Sequence, residues 1–183
     1  MPKFEIKIEN IVASVSLGIR IPLENLAENL EGTEYEPEQF PGLVYRVKDP
    51  KAATLIFSSG KIVCTGARSV EDVKKVVKKV VKVIKEAGIG NPKKYDIQIE
   101  NIVASSKLES LLNLDKIAFD LEDSEYEPEQ FPGLVYRMKS PKVAFLLFSS
   151  GKIVCTGARK VEDIEYAVKS VSKRLKEIGA MGK

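Results

Sequence analysis

The sequence predicts an α+β fold built twice, as two pseudo-twofold-related repeats, each an antiparallel sheet with helices packed on one face. Three observations carry this prediction. First, long strings recur. Ile8-Glu9-Asn10-Ile11-Val12-Ala13-Ser14 returns as Ile99 to Ser105, Glu34 to Arg46 returns as Glu125 to Arg137, and Phe57 to Arg68 returns as Phe148 to Arg159, all at one offset of 91 residues. Two copies of such length are not a solenoid, whose units run roughly 20–50 residues. Second, short runs rich in Ile and Val are separated by Pro, Gly and Ser turn chemistry. Third, each copy closes on a long stretch with helical periodicity. Residues 1–91 are thus read as the first repeat and 92–183 as the second, with Ile89 to Lys94 as the joint.

Within one copy, Phe4 to Val15 reads as a strand. Pro22 to Leu30 has apolar residues at Leu23, Leu26, Ala27 and Leu30, a short helix with proline in its first turn. Glu34 to Glu38 is short and polar, and Phe40-Pro41-Gly42 is a turn. Leu43 to Val47 is a strand, Asp49-Pro50 a second turn, and Ala52 to Phe57 another strand. Ser58-Ser59-Gly60 makes a tight hairpin into the strand Lys61 to Thr65. The long helix follows. Val70, Val73, Val76, Val77, Val80, Val81 and Ile84 share a face, and six lysines fall elsewhere. Ser69 and Asp72 form a capping-box pattern at its start, and Gly88 suits its end. The second copy's helix runs from Val161 to about Ile178. Each copy is therefore strand, helix, about four antiparallel strands, then a long helix.

Composition narrows the function classes. The net charge is only +3, which does not by itself advertise a nucleic-acid binder. The chain has no histidine, which removes the commonest general base and the commonest metal ligand. No metal site and no cofactor are expected. The two cysteines, Cys64 and Cys155, are equivalent positions inside strand runs and read as small core side chains. No apolar run reaches the roughly 18 residues of a membrane span, and the N-terminal residues lack an apolar signal core. The expected location is the cytoplasm, or the nucleus in a cell that has one.

If helices cover one sheet face, the other face is left open. Strand side chains alternate sides. With Ile62 and Cys64 turned to the helices, Lys61, Val63 and Thr65 lie on the open face, and Leu55 shares a side with Phe57. A large apolar patch of this kind marks an interaction site. The first strand is ambiguous: Asn10 and Val12 share a side, but so do Ile6 and Ile8, and a bulge could change the parity. Phe40, Phe57, Phe131 and Phe148 sit at loop tips and strand ends. From pattern alone they fit a core role. The positions also suit wedges.

The recurring strings Glu-Asn-Ile-Val-Ala-Ser, Glu-Tyr-Glu-Pro-Glu-Gln-Phe-Pro-Gly-Leu-Val-Tyr-Arg and Phe-Ser-Ser-Gly-Lys-Ile-Val-Cys-Thr-Gly-Ala-Arg resemble the TATA-box-binding protein family in its short archaeal-type form, over roughly residues 4–180. The resemblance implies a general transcription factor, not an enzyme. It implies a saddle whose curved antiparallel sheet sits on the DNA minor groove, with helices on the convex face. Members of the family kink the duplex there, and the resemblance implies the same for this chain. By match of motif, Phe40, Phe57, Phe131 and Phe148 would be wedges between base steps. Asn10, Asn101, Thr65 and Thr156 would hydrogen-bond to base acceptors. Val12, Val103, Val63, Val154, Leu55 and Leu146 would form the apolar floor against the bases. Arg46, Arg137, Lys61 and Lys152 would contact phosphates. Glu127 and Glu129 match the loop that binds transcription factor B, and RNA polymerase would join the assembly.

Residue chemistry agrees with that reading. A·T and T·A pairs show only acceptors in the minor groove, whereas G·C adds the guanine amino donor. Asn and Thr can donate to those acceptors, and Val packed close leaves the amino group no partner. Flexible TA steps are the easiest to unstack. The DNA-facing positions are identical in both copies, while the long helices differ, the second carrying Glu165, Tyr166, Ser170 and Ser172. The duplication therefore implies a symmetric reading surface that orients poorly by itself, with asymmetric helices and partners supplying direction.

Other signals carry less. Gly60-Lys61 is not a phosphate loop, because Leu55 stands where the earlier glycine belongs and no helix follows. Glu36 and Glu38 have no histidine or metal partner and read as solvated surface. The lysine face of the first long helix could bind nucleic acid, but it reads first as solvated surface, or as an aid to binding a protein partner, and the family resemblance places it on the convex side, away from DNA. A protein-binding scaffold using the apolar face is the alternative function, and an enzyme on a similar sheet is a third. The same open face admits a homodimer in the absence of DNA.

Overall fold

The computed structural model describes residues 5–181. Elements follow the expected order twice over. The first set is β1 (Lys7–Ser16), α1 (Leu23–Asn29), β2 (Thr33–Glu34), β3 (Leu43–Lys48), β4 (Lys51–Ile56), β5 (Lys61–Ala67) and α2 (Val70–Glu86). The second is β6 (Ile97–Lys107), α3 (Leu114–Asp120), β7 (Ser124–Glu125), β8 (Leu134–Lys139), β9 (Lys142–Leu147), β10 (Lys152–Ala158) and α4 (Val161–Glu177). The chain divides into two compact units, Asn10–Glu100 and the residues from Asn101 onward together with the described residues before Asn10. In one unit the strands run β2-β3-β4-β5-β1; in the other they run β6-β10-β9-β8-β7, and the pairings are antiparallel. The α+β class with one set of helices per repeat is the observed one.

Each unit's core lies between one sheet face and its long helix. Ile62 and Cys64 of β5, Ala52 and Ile56 of β4, and Ile11, Ala13 and Val15 of β1 are buried. So are Val73, Val76, Val77, Val80 and Ile84 of α2. Val76 clusters with Val47, Ala52 and Cys64, so the helix covers this face directly. The valines lower intrinsic helix propensity, but burying a stripe at helical spacing outweighs that.

Several local expectations need correction. β1 starts at Lys7 and continues to Ser16, and Phe4 lies outside the described residues. Pro22 is the N-cap of α1, not a residue of its first turn; its carbonyl accepts from Leu26 N–H at 3.0 Å. Glu34, the first residue of the segment read as merely polar, belongs to a two-residue strand, Thr33–Glu34, paired to Tyr45 and Val44. β5 runs on to Ala67, past Thr65. The caps of α2 are as expected: Ser69 Oγ accepts from Asp72 N–H at 3.1 Å, and Gly88 has φ +74° with its N–H on Lys85 O. α4 has Lys160 at its N-cap and no side-chain cap bond.

Candidate nucleic-acid interface

The face opposite the core is half-buried and built in rows across the sheet. In one unit Val44 pairs with Leu55, Leu55 with Val63, and Val63 with Ser14. The next row brings Arg46, Ala53 and Thr65 side by side. In the other unit the same rows are Val135, Leu146, Val154 and Ser105, then Arg137, Ala144, Thr156 and Val103. Val63 and Thr65 alternate with buried Ile62 and Cys64, as strand parity predicts. β1 resolves its own ambiguity: Ile11 and Ala13 are buried, so Asn10, Val12 and Ser14 are on the open side. Val44, Val135, Ala53 and Ala144 were not singled out from sequence. Parity counted along Leu43–Lys48 and Lys51–Ile56 was the signal that could have found them.

The polar centre of each unit depends on a bulge. Between Ile11↔Ala67 and Ala13↔Cys64 the register shifts, leaving an extra residue on β5 rather than on β1. The same shift occurs between Thr156↔Val103 and Ala158↔Ile102. Gly66 and Gly157 sit at these points with φ +100° and +107°, values open to glycine at little cost. Each donates its backbone N–H to an asparagine, Gly66 to Asn10 Oδ1 and Gly157 to Asn101 Oδ1, both at 2.6 Å. That bond fixes the amide: Oδ1 points into the bulge and Nδ2 is left to donate. Asn10 Nδ2 reaches Thr65 Oγ1 at 3.3 Å, and Asn101 Nδ2 reaches Thr156 Oγ1 at 3.1 Å. Each threonine hydroxyl also lies 3.4 Å from its asparagine's Oδ1, so the pair is closed within itself while Nδ2 keeps a second hydrogen to give. The glycines were missed in the sequence, although a glycine inside a strand pattern is a bulge signal. Ser14 and Ser105, on the same side, donate to Glu100 and Glu9, each at 2.8 Å.

The phenylalanines pair at the sheet's loop end. Phe40 and Phe57 meet edge-to-face with ring centroids 5.9 Å apart at 67°, and Phe131 and Phe148 at 5.9 Å and 68°. Phe40 and Phe131 are 41% and 42% exposed. They are not core aromatics. Gly42 lies against both rings of its pair: a Cβ there would come within 2.7 Å of Phe40 and 3.0 Å of Phe57. The Phe-Pro-Gly turn thus also clears space for the rings, and Gly133 does the same for Phe131 and Phe148.

Charged groups border these surfaces. Lys61 and Lys152 are exposed at the first positions of β5 and β10. Arg46 is exposed and pairs with Glu34 at 3.4 Å, so a phosphate would compete with a solvated ion pair of small worth. Arg137 is exposed too. Glu127 and Glu129 are exposed in the loop before Phe131, whose shape is held by Gln130 and Phe131 N–H groups on Glu127 O. Burial pushes the Cys64 thiol up to about 11 and the Cys155 thiol up to about 12, so neither is a nucleophile at neutral pH. Among the described residues no helix is long and apolar enough to cross a membrane.

Comparison with known proteins converges on one family. The family described as "Transcription factor TFIID (or TATA-binding protein, TBP)" matches twice, over residues 5–87 and 96–178, which repeats the internal offset. The TATA-box-binding protein of Methanobrevibacter smithii is 55% identical over 97% of this chain and 98% of its own length. That of Methanothermobacter thermautotrophicus is 53% identical with the same coverage, and that of Thermoplasma volcanium 55% identical over 96% of each. Among solved structures, Methanococcus jannaschii TBP superposes with a TM-score of 0.89 at 52% identity, covering 94% of this chain and 99% of that one.

Proposed function

The chain belongs to the TATA-box-binding protein family, and we propose that it binds the minor groove of A·T-rich promoter DNA and kinks it by phenylalanine insertion. One observation carries this reading: in each unit an apolar floor surrounds an Asn–Thr pair in which the asparagine Oδ1 is held by the bulge N–H, so that Nδ2, which carries two hydrogens, is the donor end of the pair. Such a centre supplies donors where A·T pairs supply acceptors, and the valine floor packed around it offers the guanine amino group no partner. Val12, Leu55 and Val63, with their equivalents Val103, Leu146 and Val154, are the floor. The Phe40–Phe57 and Phe131–Phe148 pairs are the wedges. Lys61, Lys152, Arg46 and Arg137 take phosphates at the margins. The exposed loop with Glu127 and Glu129 docks transcription factor B, and RNA polymerase follows. The role needs no cofactor and no covalent step.

Binding to A·T-rich and G·C-rich duplexes of equal length, compared by gel shift at moderate salt, tests the proposal. A clear preference for the A·T-rich duplex is expected. Equal affinity would overturn it and leave the apolar face as a protein-docking surface.

A further inference from the structure

We propose that the outer face of α2 is a second DNA site, one that takes duplex phosphates without regard to sequence. Buried Val73, Val76, Val77, Val80 and Ile84 hold the helix to the sheet. The remaining arc carries Lys74, Lys75, Lys78, Lys79, Lys82 and Lys85, all exposed. At 100° per residue these six fall within about 140° of arc. From Lys74 to Lys85 they extend about 16 Å along the axis. Duplex DNA carries one charge per about 1.7 Å, so roughly ten phosphate charges lie over that length. Because Val76 packs on Cys64, the lysines point away from the face that holds Asn10 and Thr65. The two surfaces occupy opposite sides of one unit and do not compete.

Little on the helix neutralises this face. Glu71 reaches Lys74 at 3.7 Å, and the Lys79 ammonium donates to the Asp49 carbonyl. Among the described residues Lys75, Lys78, Lys82 and Lys85 form no ion pair.

Composition selects DNA over a protein partner. Protein interfaces are depleted in lysine, and their hot spots rest on buried Tyr, Trp and Arg. α2 exposes no large apolar or aromatic side chain. Its counterpart α4 took the other course: Glu165, Tyr166 and Ser170 stand where α2 has Lys74, Lys75 and Lys79, and Tyr166 is 61% exposed. Lysine is a compact, mobile point charge, suited to phosphates without a fixed register. The face therefore takes a second duplex, because one kinked away from the sheet by minor-groove insertion cannot turn back to the opposite side of the unit.

The full chain is compared with a variant carrying Lys75→Gln, Lys78→Gln, Lys82→Gln and Lys85→Gln, exchanges that keep helix propensity. The probes are a long G·C-rich duplex, a long duplex with one A·T-rich site, and poly-glutamate. On both duplexes the slope of log affinity against log salt should fall by about 3.6, four lysines at about 0.9 per phosphate. The A·T preference should be unchanged. Two duplexes should bind per chain, and one per chain of the fourfold variant; one duplex per unaltered chain at saturation overturns the proposal. An unchanged slope on both long duplexes overturns the proposal. So does loss of poly-glutamate binding alone, which would make α2 a protein-docking face. Should the fourfold variant melt early, Lys78→Gln alone must lower the slope by about one, and no change there is equally decisive. The G·C-rich probe keeps this result independent of whether the sheet reads A·T.

Discussion

Asn10 and Asn101 each hold a bulge together and face outward at once. Their Oδ1 atoms satisfy the N–H groups of Gly66 and Gly157, which the bulges remove from the ladder. Replacing Asn101 by Asp keeps the acceptor and removes the donor, while adding a negative charge beside DNA. Asn101→Asp should keep a melting temperature close to that of the parent and lose A·T-rich binding by a factor of ten or more, about 1.4 kcal/mol or above. Retained affinity would remove the donor role. Phe131 supports a parallel argument. It is nearly half exposed and its main neighbour is Phe148. An aromatic pair contributes about 0.5–1.5 kcal/mol beyond area burial, so Phe131→Ala should destabilise modestly while DNA bending, read by energy transfer between duplex ends, drops sharply. Normal bending by a badly destabilised variant would make Phe131 a structural residue. The role of Asn10 was hard to read from sequence for a definite reason. Ile6 and Ile8 share its parity, so alternation favoured neither face until Ile11 and Ala13 proved buried.

At the scale of elements, the two long helices show what duplication permits. Both bury one stripe against a sheet, yet only α2 has a side-chain cap. Lys160 already has the extended backbone of an N-cap, with φ −134° and ψ 143°. Lys160→Ser should therefore add about 1 kcal/mol and raise the melting temperature by about 2–4 °C, as followed by circular dichroism. No rise would mean that the α4 start is already satisfied in solution. The sheets differ in the same quiet way. Thr54 is buried with its hydroxyl donating to Tyr45 O at 2.7 Å, whereas the equivalent Phe145 is buried and stacks on Tyr136. Ser106 is buried with no hydrogen-bond partner for its hydroxyl where the first copy has Val15. The cores drifted while the open face did not. Long periodic elements were legible in the sequence because many residues vote for one period. The two-residue strands Thr33–Glu34 and Ser124–Glu125 were not, because two residues carry no periodicity and their pairing to β3 and β8 is a tertiary fact.

For the whole molecule, repetition of the proposed reading surface has a consequence for direction. The floor, the Asn–Thr pairs and the phenylalanines are the same residues in both units, and the two aromatic pairs differ by one degree in interplanar angle. Surfaces so alike contribute little free-energy difference between two orientations on A·T-rich DNA. Cleavage mapping with a reagent tethered to one unit should show both orientations in comparable amounts when transcription factor B is absent, and one when it is present. A strong single orientation for the protein alone would place direction within the sheet residues instead. The difference available to a protein partner lies elsewhere, in Glu165 and Tyr166 of α4, which stand where α2 has lysines.

Duplication, the α+β class, the buried stripe of each long helix and the open face of β5 needed only the sequence, because each is a repeated or periodic pattern that local geometry forces. The bulges did not show there. An extra residue in β5 exists only relative to β1, fifty residues away, and the same pairing turns Gly66 from a weak strand residue into the donor that orients Asn10. The phenylalanine pairs belong to the same class: Phe40 and Phe57 meet only once a turn and two strands bring a loop tip to a strand end, with Gly42 leaving room beneath them. Contacts between residues far apart in the chain have no signature in either residue alone, so the chain's periodic parts could be read in advance, whereas the chemistry of its site became visible only with the fold.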